Sequence, residues 1–200
     1  MTQIYIVRHG ETVANTLGLL SGQSETPLTE TGQWQAKLLG RRLADVAFTR
    51  IFVSDLGRAV ATAEVVAAHH PNVAFEQHRA LRECSWGEWE KQPFARFNEE
   101  RSHHSGDIFD FKPAGGESLR ELKDRATEFV GSVLAPFDEG THLIVAHSVI
   151  NKALICNLLN RPWTELSTLN QRNTCVNIIQ ILRGEVRELC LNCIRHLECS

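Results

Sequence analysis

Four times in this chain a short apolar run stops at polar or charged residues and gives way to a helical pattern, and this alternation constrains the fold more than any other feature. Ile4, Tyr5, Ile6 and Val7 run into Arg8, His9, Gly10, Glu11 and Thr12. RIFVSD ends in Ser54 and Asp55, VAFEQ (Val73 to Gln77) leads into the polar HRALREC, and HLIVAH (His142 to His147) ends in histidine. Apolar runs of this length, bounded by polar residues, read as buried strands.

The intervening segments have helical spacing. Thr29 reads as an N-cap before a face of Ala36, Leu39, Leu43 and Val46. Arg58 to His69 is alanine-rich, with Ala59, Ala63, Val66 and His70 on one stripe, and Pro71 ends it; His69 and His70 are placed to close that helix at its negative end. ESLRELKDRATEFVGSVLAPF offers Ser118 and Glu121 as a capping box and Leu119, Leu122, Ala126, Phe129, Val130 and Val133 as a buried face. SVINKALICNLLN is a helix stopped before Pro162. Val13 to Leu28, with Gly18, Gly22 and Pro27, reads as a loop over the first strand end, and CVNIIQILRGEVRELCLN as two strands joined at Gly184. The expected fold is a three-layer α/β/α sandwich whose mostly parallel sheet has an antiparallel edge. Its strand ends would share one edge, where open α/β sheets bind ligands.

Two hundred residues suit one domain, 1–200. Residues 85–116 interrupt the pattern as a lid-like insertion, with Trp86, Trp89, Phe94, Phe97, Phe109 and Phe111 scattered among charges. A net charge of -3 argues against a generally basic nucleic-acid binder. The chain has no apolar run long enough for a membrane span and no secretory signal pattern, so the expectation is a soluble, cytoplasmic protein with its six cysteines reduced.

The residues expected at the strand ends are Arg8, His9, Ser54 to Arg58, Glu83 and His147. Two arginine forks match phosphate oxygens bidentately and stay charged. A neutral imidazole can take a phosphoryl group covalently, dividing one displacement into two. Positioning and charge neutralisation do most of the remaining work in such a transfer, and backbone N–H groups after His147, at a helix N-terminus, would add donors to the anion. Each residue alone has an ordinary reading: a solvated arginine, a surface carboxylate, a hydrogen-bonded histidine. Their joint placement after separate strands carries the inference.

Six blocks in order resemble the histidine phosphatase superfamily, the phosphoglycerate mutase-like fold. They are RHGET (Arg8 to Thr12), PLTETGQWQA (Pro27 to Ala36), SDLGRAVATA (Ser54 to Ala63), LRECSWGEWE (Leu81 to Glu90), GGES (Gly115 to Ser118) and VAHSVI (Val145 to Ile150). The resemblance implies that His9 is a nucleophile forming a phosphohistidine, that Arg8, Arg58 and His147 bind the phosphoryl oxygens, and that Glu83 is the general acid and then base. Asn15 matches a family phosphate contact. The chain departs from the family at Ser148, where glycine is usual beside the phosphate, and at Lys91, where many relatives have glycine.

The implied activity is a metal- and cofactor-independent phosphatase acting on a small phosphorylated metabolite, as a monomer or homodimer without nucleic-acid or membrane partners. The alternatives are a phosphoglycerate mutase, disfavoured by RECSWGEWE in place of an ERHYG-type stretch, and a non-catalytic phospholigand-binding protein. Trp86, Trp89, Phe94 and Phe97 line a leaving-group pocket or pack the insertion onto the core. Arg82, Lys91, Arg96, Lys112, His103 and His104 meet a second anion or are solvated. At the C-terminus Cys190, Cys193, His196 and Cys199 recur every three residues, which hints at zinc, but the spacing alone does not form a tetrahedron, and Asn192, His196 and Leu197 resemble the ending of several family members.

Overall fold

The computed structural model describes residues 1–135 and 139–198. In chain order the elements are β1 (Thr2–Arg8), α1 (Val13–Thr16), α2 (Glu30–Leu43), β2 (Arg50–Ser54), α3 (Gly57–Ala67), β3 (Ala74–His78), α4 (Phe94–Ser102), α5 (Leu119–Glu128), β4 (Gly140–Ala146), α6 (Ser148–Leu158), β5 (Val176–Leu182), β6 (Glu185–Cys193) and α7 (Arg195–Glu198). The sheet order is β3-β2-β4-β1-β5-β6. The first four of these strands are parallel, and β5 runs against both β1 and β6.

Both sheet faces are covered because side chains alternate across a strand. Ile4, Ile6, Phe52 and Ile144 join Leu122 and Ala126 of α5 and Ile150 and Leu154 of α6. Val7, Ile51, Val53, Leu143 and Val145 join Leu39 and Leu43 of α2 and Ala59, Ala63 and Val66 of α3 on the other face. Each valine, leucine, isoleucine or phenylalanine among them, fully buried, stabilises the fold by roughly 1.5–3 kcal/mol before entropy is counted. The three-layer expectation is met. Among the described residues no helix is long and apolar enough to cross a membrane.

Several boundaries differ from the sequence pattern for local reasons. The segment read as a loop contains α1, because Thr12 accepts from the Asn15 N–H while the Asn15 side chain accepts from the Thr12 N–H, a reciprocal cap. The Ser118–Glu121 capping box starts α5 as expected, but α-helical bonding ends at Glu128 and Phe129–Leu134 continues with π-helical bonding; Pro136 and Phe137 lie outside the described residues. Val46 falls beyond the end of α2 yet packs on the same core face. His70 follows α3, and its Nε2–H donates to the Leu43 carbonyl at 3.1 Å, so the helix end it closes is that of α2. The β5–β6 turn uses positive φ at Arg183 (53°) and Gly184 (82°), the twist that suits a two-residue hairpin.

Register aligns the strand ends. Val7 pairs with Val145, and Val145 with Val53. One or two residues further on, β1 delivers Arg8 and His9, β4 delivers His147, and β2 delivers Ser54. The loop after β1 is pinned against α2: a Cβ on Gly32 would overlap the Glu11 carbonyl, so only glycine allows this approach.

The ends of the segment between Glu83 and Ser118 are tied together, with the Glu117 N–H donating to the Ser85 carbonyl at 2.8 Å. Phe97 is completely buried between Trp86 and Phe111, with ring centroids 4.9 and 5.8 Å away. Lys91, where relatives often have glycine, sits at φ 66° in the left-handed region. Its N–H donates to the Leu20 carbonyl at 2.7 Å, so a tertiary bond holds that conformation.

Candidate active site

His9 and His147 face each other with ring centroids 5.1 Å apart, at the ends of neighbouring parallel strands. Both are buried, as is Arg58 in the first turn of α3. One Arg8 terminal nitrogen donates to the Gln171 carbonyl at 2.6 Å. The two Arg58 terminal nitrogens donate to the carbonyls of Ser24 (3.0 Å) and Gly22 (2.6 Å). Arg8 Nε, Arg58 Nε and His147 Nδ1 are buried without a hydrogen-bond partner among the described residues. Buried polar nitrogens are rarely left unpaired, and two guanidinium donors beside an imidazole nitrogen point to an anion.

The hydrogen-bond network fixes the tautomer of His9, and an anion in the site would fix that of His147. His9 Nδ1 lies 2.7 Å from the Gly10 carbonyl, which only accepts, so Nδ1 carries the proton and Nε2 is a bare lone pair. His147 Nε2 lies 2.7 Å from Ser54 Oγ. That oxygen also accepts the Leu56 N–H at 3.3 Å, and its second lone pair and its proton let it either accept from Nε2 or donate to it; an anion at the unpartnered Nδ1 selects the tautomer with the proton on Nδ1. One ring therefore presents a nucleophilic nitrogen and the other a donor.

Charge state agrees with this division. Burial first, then the Arg58 and Arg8 guanidiniums, hold His9 well below the ordinary imidazole value, and burial, Arg58 and His9 do the same to His147. Burial also lowers both arginines from a value so high that they stay charged.

Glu83 lies between β3 and the α6 N-terminus. Its carboxylate accepts N–H bonds from Val149 (3.1 and 3.2 Å), Ile150 (3.3 Å) and its own neighbour Cys84 (3.0 Å). This corrects the expectation for those N–H groups: Val149 and Ile150 serve the carboxylate, and Ser148 is left as the first N–H of α6. Arg125 fixes the segment from behind, donating to the carbonyls of Ala80 (2.8 Å) and Arg82 (2.9 Å) and pairing with Glu117.

Asn15 is held by its carbonyl oxygen, which accepts from Thr12 N–H and from Asn173 Nδ2 at 3.2 Å, leaving the amide nitrogen as its donor. Most cations expected at a second anion site are engaged elsewhere. Arg82 is bidentate on Asp55 at 2.7 Å, Lys112 pairs with Glu121, and Arg96 stacks over Trp89. His104 packs against Phe111. In the C-terminal segment Cys193 Sγ accepts from Arg42 at 3.1 Å, and the His196 ring bonds Arg42 at 3.0 Å and Thr174 at 3.1 Å. Cys199 lies outside the described residues.

Four supporting residues carry no signal in the apolar pattern. Thr62 accepts the Gly10 N–H at 3.0 Å and stands four residues after Arg58, a helical spacing that links the two. Gln171, Asn173 and Thr174 precede β5; the Gln171 carbonyl holds the Arg8 guanidinium, Asn173 donates to the backbone carbonyl of His9, and Thr174 to those of Arg8 and His9.

The depressed histidines predict an acid-sensitive fold. Below about pH 6.5 the unfolded chain takes up protons that native His9 and His147 refuse, so stability present at neutral pH is lost as pH falls toward their native values. Each group adds about 1.4 kcal/mol per pH unit to that slope. Denaturant melts at pH 7.5, 6.5 and 5.5 should show a shallower slope for His9→Asn than for wild type, and saturating inorganic phosphate should flatten the wild-type slope by balancing the arginines. Identical slopes for both proteins would contradict the burial argument.

Fold and site together define an α/β protein with two neutral imidazoles and two guanidiniums gathered at its strand ends. The chain belongs to the histidine phosphatase superfamily, branch 1, whose sequence model matches residues 4–194. It is 35% identical over 185 residues to the probable phosphoglycerate mutase GpmB of Salmonella choleraesuis, spanning 90% of this chain and 85% of that one. The putative alpha-ribazole-5'-P phosphatase from Escherichia coli superimposes with a TM-score of 0.86 at 28% identity, covering 97% of this chain and 98% of that one. Bacillus stearothermophilus YhfR does so with a TM-score of 0.87 at 30% identity, covering 98% of this chain and 100% of that one.

Proposed function

We propose that the chain is a phosphatase, a phosphoric monoester hydrolase that passes the phosphoryl group through His9 and routes no step through a metal. The observation that carries this reading is the trio of buried unpaired nitrogens, Arg8 Nε, Arg58 Nε and His147 Nδ1, beside a His9 whose Nε2 is bare. The reading treats residues 1–200 as one domain, with residues 85–116 as a lid-like insertion on the leaving-group side.

In the first step His9 Nε2 forms a bond to phosphorus as the ester P–O bond breaks, and Glu83 gives its proton to the departing alkoxide. The two guanidiniums and the His147 Nδ1–H meet the three non-bridging oxygens, with the Asn15 amide and the Ser148 N–H as further donors. In the second step water attacks phosphorus, Glu83 takes its proton, the N–P bond breaks, and the lone pair returns to Nε2.

An alkaline quench during turnover should trap a base-stable, acid-labile phosphoryl group on residue 9, up to one per chain, without added metal. Turnover with no such adduct at any time point would remove His9 as the nucleophile. The likeness to a probable phosphoglycerate mutase favours one second reading, return of the phosphoryl group to a sugar acid. With 3-phosphoglycerate, isomerisation outpacing phosphate release would establish the mutase, and the expected result is the reverse. Phosphate release from any ester through His9 would exclude a purely binding role.

A further inference from the structure

Beside the segment that carries Glu83 lies an apolar cavity lined by a lysine that has no ion-pair partner among the described residues. A cavity of about 470 Å³ lies beneath the insertion, walled by Trp86, Phe97, Leu119 and Val149 and rimmed by Phe94 and Ile108, which stay 50% and 37% exposed. It meets the site through residues next to Glu83. Val149 lines it while giving its N–H to Glu83, the proposed proton donor to the leaving group, and Trp86 lines it three residues after Glu83.

Lys152 also lines this cavity, one helical turn beyond Val149 on α6. It is half-buried and makes no hydrogen bond or ion pair with any described residue. Burial lowers its pKa, the charge of Glu83 opposes that shift, and the charge of Arg8 adds to it. The cavity's other cation, Arg101, has its guanidinium over the Phe97 ring at 5.8 Å and likewise no ion pair among the described residues. A half-buried ammonium without a partner is costly, and an anionic ligand group would repair it.

We propose that the preferred substrate is the phosphomonoester of an alcohol with an apolar body bearing a second anionic group, a carboxylate or a further phosphate, which Lys152 binds while the body fills the cavity. This rests on the phosphatase reading for the direction of the leaving group. The volume falls within the range of small-molecule sites and exceeds what a three-carbon acid fills. A ring or a branched chain suits it.

Binding of non-hydrolysable analogues tests this separately from turnover. Benzylphosphonate, its 3- and 4-carboxy derivatives and its 4-phosphono derivative are titrated calorimetrically into wild type, Lys152→Met and Lys152→Arg. Wild type should bind at least one of the compounds with a second anionic group about 10-fold or more tighter than benzylphosphonate, the scale of one charge-assisted hydrogen bond. Which derivative gains shows whether the second anion is carboxylate or phosphate. Lys152→Met should bring that ratio to within about twofold of one, and Lys152→Arg should retain most of it. A ratio near one in wild type, an unchanged ratio in Lys152→Met, or binding of no phosphonate overturns the proposal. A preserved preference with no phosphate released from phenyl phosphate would overturn the phosphatase reading, and with it the ligand's role as substrate, and leave the second-anion contact at Lys152 standing.

Discussion

His9→Ala should lower turnover of every phosphomonoester by at least about 10⁴-fold, because it removes the atom that bonds to phosphorus and no other group is placed to replace it. His147, the imidazole in contact with it, has its Nε2 hydrogen-bonded to Ser54 Oγ, and its Nδ1 carries the proton when it faces an anion. The same substitution should leave the anion site largely intact. Arg8 and Arg58 are held by the carbonyls of Gln171, Gly22 and Ser24, none of which depends on the His9 ring. Inorganic phosphate should therefore bind the variant with an affinity within about tenfold of wild type, a difference below one and a half kcal/mol. The measurement is a paired one, turnover beside phosphate affinity in the same folded preparation. Turnover above about one per cent of wild type would mean that the phosphoryl group goes elsewhere. Loss of phosphate binding together with turnover would mean that His9 props the arginines rather than attacking.

The division between what the sequence made legible and what it concealed follows a physical line. Strand ends were legible because an apolar run that stops abruptly marks where a strand leaves the core, as at Val7–Arg8 and Ala146–His147. The six ordered blocks then fixed the family. The partners of the α6 N-terminus were not legible: free N–H groups there suit any anion, and only the path of residues 79–83 brings Glu83 rather than phosphate to Val149 and Ile150. The tautomers needed Ser54 Oγ and the Gly10 carbonyl in place. Lys152 was concealed for a different reason, since a lysine at helical spacing looks solvated until the insertion closes over it.

Glu83→Gln should separate the two chemical steps. A glutamine Oε1 can still accept from Cys84, Val149 and Ile150, so the side chain should stay where the carboxylate lies and the fold should persist. The variant has no proton to give. Alkyl phosphates, whose alkoxide cannot leave unprotonated, should lose about 10²–10⁴ in kcat/KM, the usual contribution of general acid catalysis. Nitrophenyl phosphate needs little protonation, so its first step should slow by less than about tenfold. The second step still requires a base to take the proton from water. Phosphorylated His9 should accumulate, and a rapid burst of nitrophenol approaching one per chain should precede slow turnover. Equal losses on both ester classes with no burst would mean that Glu83 serves the α6 N-terminus alone. The expected split would instead show that one helix end fixes acid and phosphate ligand together, since His147 caps the helix whose next N–H groups hold Glu83.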